Sequence, residues 1–305
     1  MKKHAYMIMA HSDFYTLEKL VLLLDDYRND IYIHLDKKVD YEQVSYLIDI
    51  VKSSNVYFTK KRIDVKWGGA TQVYAEMVLL EEAISKEYEY YHLISGSDLP
   101  IKNQNFIHEF FEANNGKQFI GFNNIDKERK KIKYYYLFQE LAPRKNNDKN
   151  IKSLINNSTH VIYRSLDRVL IFIQIILRVD RLKNSSKKIC RGANWFSITH
   201  GLASDLVKNK YIIKKMYQYT AYPDEIFMHT FVYNSKYLKE VYNLDNEYEG
   251  CMRFIDWKRG WPYTFKIEDI NEIIKSNKLF ARKFNSNVDK EIIDSLYKLI
   301  LENKN

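Results

Sequence analysis

Two adjacent cations near the C-terminus, Arg282 and Lys283, stand between Leu279-Phe280-Ala281 and Phe284. A forked guanidinium beside a compact ammonium can hold a diphosphate, the leaving group of a nucleotide-activated sugar, or the two can be a solvated pair ahead of a C-terminal helix; the apolar flanks favour anchoring. Many enzymes that use such donors hold a divalent cation there with an Asp-x-Asp triplet. This sequence contains no such triplet, so protein cations are expected to replace the metal, and no cofactor is expected. Sugar transfer also needs a base that takes the proton of the acceptor hydroxyl. Pro223-Asp224-Glu225 could supply one, or its acids could only complement the dipole of a helix that begins there.

Asp36 and Asp98 each follow a short apolar run, in His34-Leu-Asp-Lys37 and Ser95-Gly-Ser-Asp-Leu-Pro100. A carboxylate so placed can accept from a ligand hydroxyl or imide, or it can shape the turn that ends a strand. Trp67-Gly68-Gly69 carries the same two readings. The glycines let a ligand approach the backbone, and the indole can pack on that ligand or close a core. His11, His34, His92, His200 and His229 fall in no metal-ligand spacing and are expected in the core or in hydrogen bonds. No Gly-rich phosphate loop of the Walker type occurs, so a kinase or ATPase has no anchor.

A βα alternation must position these groups. Residues 4–10, 31–35, 56–59 and 90–94 read as short strands. Residues 14–27, 41–52 and 71–85 read as helices, as the spacing of Leu17, Leu20, Val21 and Leu24 illustrates. Residues 118–122 and 194–198 could add strands, and 223–232 starts as a helix does. Such alternation builds an α/β fold with a mainly parallel sheet covered by helices. Ligands then gather outside the carboxyl ends of the strands, where Asp36 and Asp98 fall.

Over 305 residues, 46% apolar composition supplies a sizeable core, and 9 Gly with 4 Pro mark no domain boundary. One unit spanning 1–305 is expected. Cys190 and Cys251 make neither a disulfide framework nor a metal site, and no apolar signal segment follows Met1-Lys-Lys-His-Ala-Tyr6; both features point to the cytoplasm. The formal net charge of +9 suits an anionic partner without choosing among nucleotide, nucleic acid and membrane.

The motifs occur in a fixed order: His34-Leu-Asp-Lys37, Trp67-Gly-Gly-Ala70, Leu93-Ile-Ser-Gly-Ser-Asp-Leu-Pro100, Gly192-Ala-Asn-Trp-Phe196, Pro223-Asp-Glu225 and the run from Phe254 to Phe284. In this order they resemble the core-2/I-branching glycosyltransferases (glycosyltransferase family 14), which include branching N-acetylglucosaminyltransferases and peptide xylosyltransferases. The resemblance spans most of the chain outside about 125–190. It implies the nucleotide-sugar-binding fold called GT-A, with Glu225 as base, followed by Phe227, His229 and Thr230 as in the xylosyltransferase branch. It also implies Arg282 and Lys283 on the diphosphate, Asp36 near the uridine, and Trp67 and Asp98 on the donor side. Asn194 and Trp195 then line the acceptor site, where relatives carry an Asp-Trp or similar pair; the Asn departs from the acidic version.

The enzyme implied is a metal-independent, inverting transferase that moves a sugar from a UDP donor to a saccharide hydroxyl. N-acetylglucosamine is favoured over xylose, galactose or galactofuranose, and bacterial capsule or exopolysaccharide synthesis is the setting. The rival from another class is a noncatalytic saccharide- or nucleic-acid-binding protein that stacks ligands on its 25 Tyr. Many of those tyrosines lie in apolar periodic segments, which points to packing and against a nucleic-acid partner.

Between about 125 and 190 the resemblance fades, and a variable helical insertion is expected, ahead of a diphosphate-binding segment at about 250–305. Residues 169–177 form an apolar run flanked by Arg164, Arg168, Arg178, Arg181 and Lys183. The run is far shorter than the ~20 residues that span a bilayer. It reads as a buried helix, or as a surface helix that docks on anionic lipid at the inner face of the plasma membrane, near a lipid-linked acceptor.

Overall fold

The computed structural model describes residues 2–142 and 151–302. Four apolar runs form the parallel half of a six-stranded sheet: β1 (His4–Ala10), β2 (Asn29–Leu35), β3 (Asn55–Phe58) and β4 (Tyr90–Ser95). Every residue of β2 and β4 is buried, as expected of parallel strands covered on both faces. Three short strands, β5 (Asp98–Pro100), β8 (Arg253–Ile255) and β9 (Phe280–Arg282), make a second sheet. The remaining two, β6 (Phe119–Ile125) and β7 (Cys190–Thr199), complete the first sheet as antiparallel strands.

The order of the large sheet is β3-β2-β1-β4-β7-β6. From β1 the chain builds β2 and β3 on one side and then returns to place β4 on the other. The crevice outside the carboxyl ends of β1 and β4 is therefore the topological switch point, where open α/β sheets bind ligands. In β7, Thr199 faces Tyr90 and Ser197 faces His92. Extending that register sets Asn194 opposite Ser95, so residues 190–194 of β7 overhang the same edge.

Helices cover both faces because apolar side chains alternate across the strands. On one face Leu17, Leu20, Val21, Phe280 and Leu296 share a core with Tyr6, Ile8 and Ile33; on the other, Met77, Leu80, Phe196 and Phe227 pack with Ala5, Met7 and Leu93. Burial of each Leu, Ile, Val, Met or Phe side chain among them contributes about 1.5–3 kcal/mol. The histidines largely serve packing. His92 bonds Ser197 at 2.8 Å and His4 at 3.1 Å, His200 bonds Tyr91 at 2.8 Å, and His34 accepts from the Ile63 amide at 3.0 Å. Both cysteines are free and buried.

Residues 41–52 do not form the helix that their spacing suggests. Two 3-10 turns, Tyr41–Gln43 and Ser45–Ile48, replace it, with Val44 at φ −135 between them. The Asp25 carboxylate accepts from the amides of Lys52, Ser53 and Ser54 at 2.8–2.9 Å, which takes this end of the segment out of helical bonding. The first helix likewise stops early, at Leu23.

Candidate active site

Arg282 is held by a carboxylate and an indole. As the last residue of β9 it pairs across the small sheet with Asp98 of β5. Its Nη1 donates to Asp98 Oδ1 at 2.6 Å, and its guanidinium lies 4.4 Å from the centre of the Trp195 ring. Asp98 Oδ2 accepts from the Ser95 amide at 2.9 Å. The side chain of Asp98 is 1% exposed and that of Arg282 is 19%. A buried carboxylate and an indole thus aim a guanidinium whose remaining N–H groups can meet an incoming anion. Lys283 follows directly, and its backbone bonds Tyr263 and Phe265.

Glu225 sits at the end of the 3-10 turn Pro223–Glu225, which Tyr222 enters in the left-handed conformation (φ 51). Arg191 of β7 holds it: Nε donates at 2.7 Å and Nη2 lies at 2.5 Å. Both contacts reach Oε2, leaving Oε1 as the oxygen that can face an acceptor hydroxyl. Burial opposes the charge on Arg191, but Glu225 and Glu128 outweigh it and raise its pKa. Arg191 and Trp195 lie four residues apart on β7, roughly 13 Å by strand rise. One strand therefore carries the partner of the candidate base and the partner of the candidate diphosphate cation.

Behind Glu225 lies a buried polar cluster. Asp224 and Asn194 are almost covered, and Glu76 of the helix Ala70–Ala83 is fully covered. Both Glu76 oxygens, both amide atoms of Asn194 and Asp224 Oδ1 lack a well-formed hydrogen bond. Burial, then the charge of Glu225, pushes the Asp224 carboxyl up to about 7. Burial, then the charge of Asp224, lifts Glu76 well above the ordinary carboxyl range; Asn194 stands close enough to oppose that rise in part.

The remaining sequence candidates divide. Asp36 uses both oxygens on its own chain, accepting from the Lys38 amide at 2.9 Å and the Val65 amide at 3.2 Å. It is almost covered and shapes the loop after β2. Trp67 is 42% exposed and meets Tyr222 edge to face at 5.3 Å, which sets it beside the turn that carries Glu225. Gly68 has φ +69, and a Cβ there would come within 2.8 Å of the Tyr222 ring, so the Trp67-Gly68 turn and the Glu225 turn require each other. Sequence reasoning missed Arg191 and Glu76. Arg191 is one cation in a basic stretch and Glu76 one acid on a helix; only tertiary pairing distinguishes them.

A surface recess of about 330 Å³ lined by Lys3, Asp30, Lys86 and Tyr88 lies at the amino ends of the strands, away from these groups. The Asp30 carboxylate in it is already engaged by Lys3, Asn55, Lys86 and Tyr88. Among the described residues, no three His, Cys, Asp or Glu are grouped to hold a metal.

The sequence profile of the core-2/I-branching enzymes matches residues 4–276. This chain belongs to the core-2/I-branching enzyme family. The core-2/I-branching match includes Glu225, Asp98 and Asn194 and ends before Arg282 and Lys283. Xylosyltransferase sqv-6 of Caenorhabditis elegans is 24% identical over 291 residues, covering 87% of this chain and 32% of that protein. Human Xylosyltransferase 2 is also 24% identical, covering 96% of this chain and 33% of that protein. The chain therefore spans about a third of the length of these curated relatives. Among solved structures, apo mouse xyloside xylosyltransferase 1 aligns over 92% of this chain and 97% of its own, at TM-score 0.38 and 10% identity.

Proposed function

We propose that this chain is a glycosyltransferase that moves a sugar from a UDP donor to a saccharide hydroxyl, with inversion and without a metal. The observation that carries the reading is the paired arrangement on β7: Arg191 holds Glu225, and four residues on, Trp195 and Asp98 hold Arg282. Glu225 takes the acceptor proton through Oε1 as the hydroxyl attacks the anomeric carbon. Arg282 and Lys283 receive the charge that develops on the UDP diphosphate. Asp98, the acid at the strand end where a metal ligand would serve, is committed to Arg282, which supports a protein cation in the metal's place. Asn194, Trp195 and Trp67 are the candidate sugar contacts: Trp195 lies on the Arg282 guanidinium, and Trp67 meets Tyr222 beside the Glu225 turn. Asp36 acts on the nucleotide through the loop it shapes.

The xylosyltransferase names of the relatives make UDP-xylose the first donor to compare with UDP-N-acetylglucosamine. A panel of UDP-sugars should identify the donor as the one that raises the melting temperature most. With that donor, Glu225→Gln should lower turnover about 10²-fold or more while UDP affinity is kept. Wild-type activity should persist in excess EDTA. Turnover that survives the Gln substitution removes Glu225 as the base, and activity that EDTA abolishes and Mn²⁺ restores removes the metal-free scheme. Arg282→Ala is a poor probe, because it strands the buried Asp98 carboxylate and costs about 3–5 kcal/mol by that route. The pair Asp98→Asn with Arg282→Gln avoids the stranded charge and should weaken UDP binding in a folded protein.

A further inference from the structure

The long helix Ile151–Ile176 is inside out. Three of its polar residues face the protein: Asp167 accepts from the Phe138 amide at 3.0 Å, Gln174 bonds both the amide and the carbonyl of Tyr135, and Arg164 donates to Gln139, whereas Ser158, Ser165 and Arg168 are exposed. Tyr163 stacks on Phe138. The opposite face carries Ile155, Ile162, Val169, Phe172, Ile173 and Ile176, all exposed at 44–63%. At 100° per residue these residues and their exposed apolar neighbours fill an arc far wider than the narrow seam of a coiled coil. No helix among the described residues is long and apolar enough to cross a membrane.

Charge selects what covers this face. The helix has one acid, Asp167, and it is buried. Of the five flanking cations, Arg164 and Arg181 turn inward. Arg181 donates to the carbonyls of Met216, Tyr134 and Tyr219. Arg168, Arg178 and Lys183 are exposed. A second copy would bring these cations against their own kind with no exposed acid on the helix to meet them, whereas an anionic lipid surface offers both an apolar layer and negative charge. The inward side of the helix is joined to the site, since Arg164 lies 5.8 Å from the centre of the Tyr222 ring, next to the turn of Glu225.

We propose that the helix Ile151–Ile176 lies in the surface of an anionic membrane, apolar face inserted and Arg168, Arg178 and Lys183 at the headgroups. This tethers the Glu225 turn to the membrane across the width of one helix, through Arg164 on its inward side, on the side from which an acceptor saccharide on a lipid carrier would be presented. The docking goes beyond the transfer reaction and is read without it.

The test is co-sedimentation of the full chain with phosphatidylglycerol–phosphatidylcholine vesicles and with phosphatidylcholine vesicles alone. The mixed vesicles should bind it, and binding should fall as salt rises from about 0.1 to about 1 M, which shortens the Debye length from about 10 to about 3 Å. Each basic residue near an anionic surface contributes about fivefold in partitioning, so Arg168→Gln with Arg178→Gln should reduce binding at least tenfold or so. Ile162→Gln, Val169→Gln, Phe172→Gln and Ile176→Gln together should abolish it, with the circular dichroism spectrum and melting temperature retained. Absence of vesicle binding overturns the proposal, as does binding that ignores lipid charge and salt. A dimer in sedimentation equilibrium that the four Gln substitutions dissolve, without vesicle binding, assigns the face to a second copy. Unfolding of the four-Gln variant shows that the face is core, and equally overturns it.

Discussion

Burial in the folded protein favours the protonated form of Asp224 and Glu76, and the consequence is a stability contribution that depends on pH. An acid whose pKa rises on folding binds its proton more tightly in the folded state. Its contribution is complete below the unfolded pKa and is lost as pH rises through the folded one. For Asp224 that window runs from the ordinary carboxyl value of 3.8 up to about 7, and Glu76 shifts in the same direction. The contribution of Asp224 alone should fall across the window with a slope approaching roughly 1.4 kcal/mol per pH unit, against the opposite slope of the buried histidines, whose pKa values burial lowers. Asp224→Asn, similar in shape and uncharged, should flatten that slope in melts taken as a pH series; an undiminished slope in the variant would exonerate Asp224. The candidate base and the basic pair were legible as residue types in short motifs. Arg191 and Glu76 were not, because what sets them apart is a neighbour many positions away, Glu225 for the first and Asp224 for the second.

At the scale of elements, the close approach of β6 and β7 determines where the site residues emerge. A Cβ on Gly192 would sit 1.7 Å from the Gly121 carbonyl oxygen and 2.7 Å from His229 Nε2, and the β6–β7 register shifts around Phe122 and Asn124. Backbone cannot yield to that overlap without separating the strands. Gly192→Ala should therefore cost roughly 3 kcal/mol, measured as a lower denaturant midpoint, and should depress transfer because Arg191 and Trp195 flank the displaced segment. A variant as stable and active as the wild type would show that the strands have room to part. The parallel strands β1 to β4 were legible because each is a short apolar run followed by a polar turn. The second sheet was not: β5, β8 and β9 have three residues each, too few to show a period. The Ile151–Ile176 helix was visible only in its last apolar run, since a helix that turns its polar face inward reverses the pattern by which surface helices are recognised.

Across the whole molecule, the chain closes on itself at the candidate site. Asp13 stands just after β1, at φ 53, and caps the helix Phe14–Leu23 by accepting from the Thr16 amide at 3.4 Å, and it also accepts from the Thr16 hydroxyl at 2.6 Å. The same carboxylate accepts from the amide of Ser286 at 2.9 Å and from its hydroxyl at 2.5 Å. The C-terminal helix Lys290–Glu302 then packs beside that first helix through Ile292, Ile293 and Leu296, with Tyr15 bonded to Asp294. The segment that carries Arg282 and Lys283 is thus pinned on both sides, by β5 through Asp98 and by the N-terminal layer through Asp13. Asp13→Ala removes a cap and two charge-assisted bonds and leaves Ala in a left-handed conformation, which together should cost about 2–4 kcal/mol. Because the loosened loop follows the basic pair directly, UDP affinity should fall several-fold in the protein that remains folded. Asp13→Asn tolerates the backbone and can still cap, so it should recover most of both losses. Calorimetric melts and UDP titrations of the two variants separate the effects. If Asp13→Ala lowers the melting temperature while UDP binds as before, the basic pair is held by the small sheet alone and the closure serves only stability.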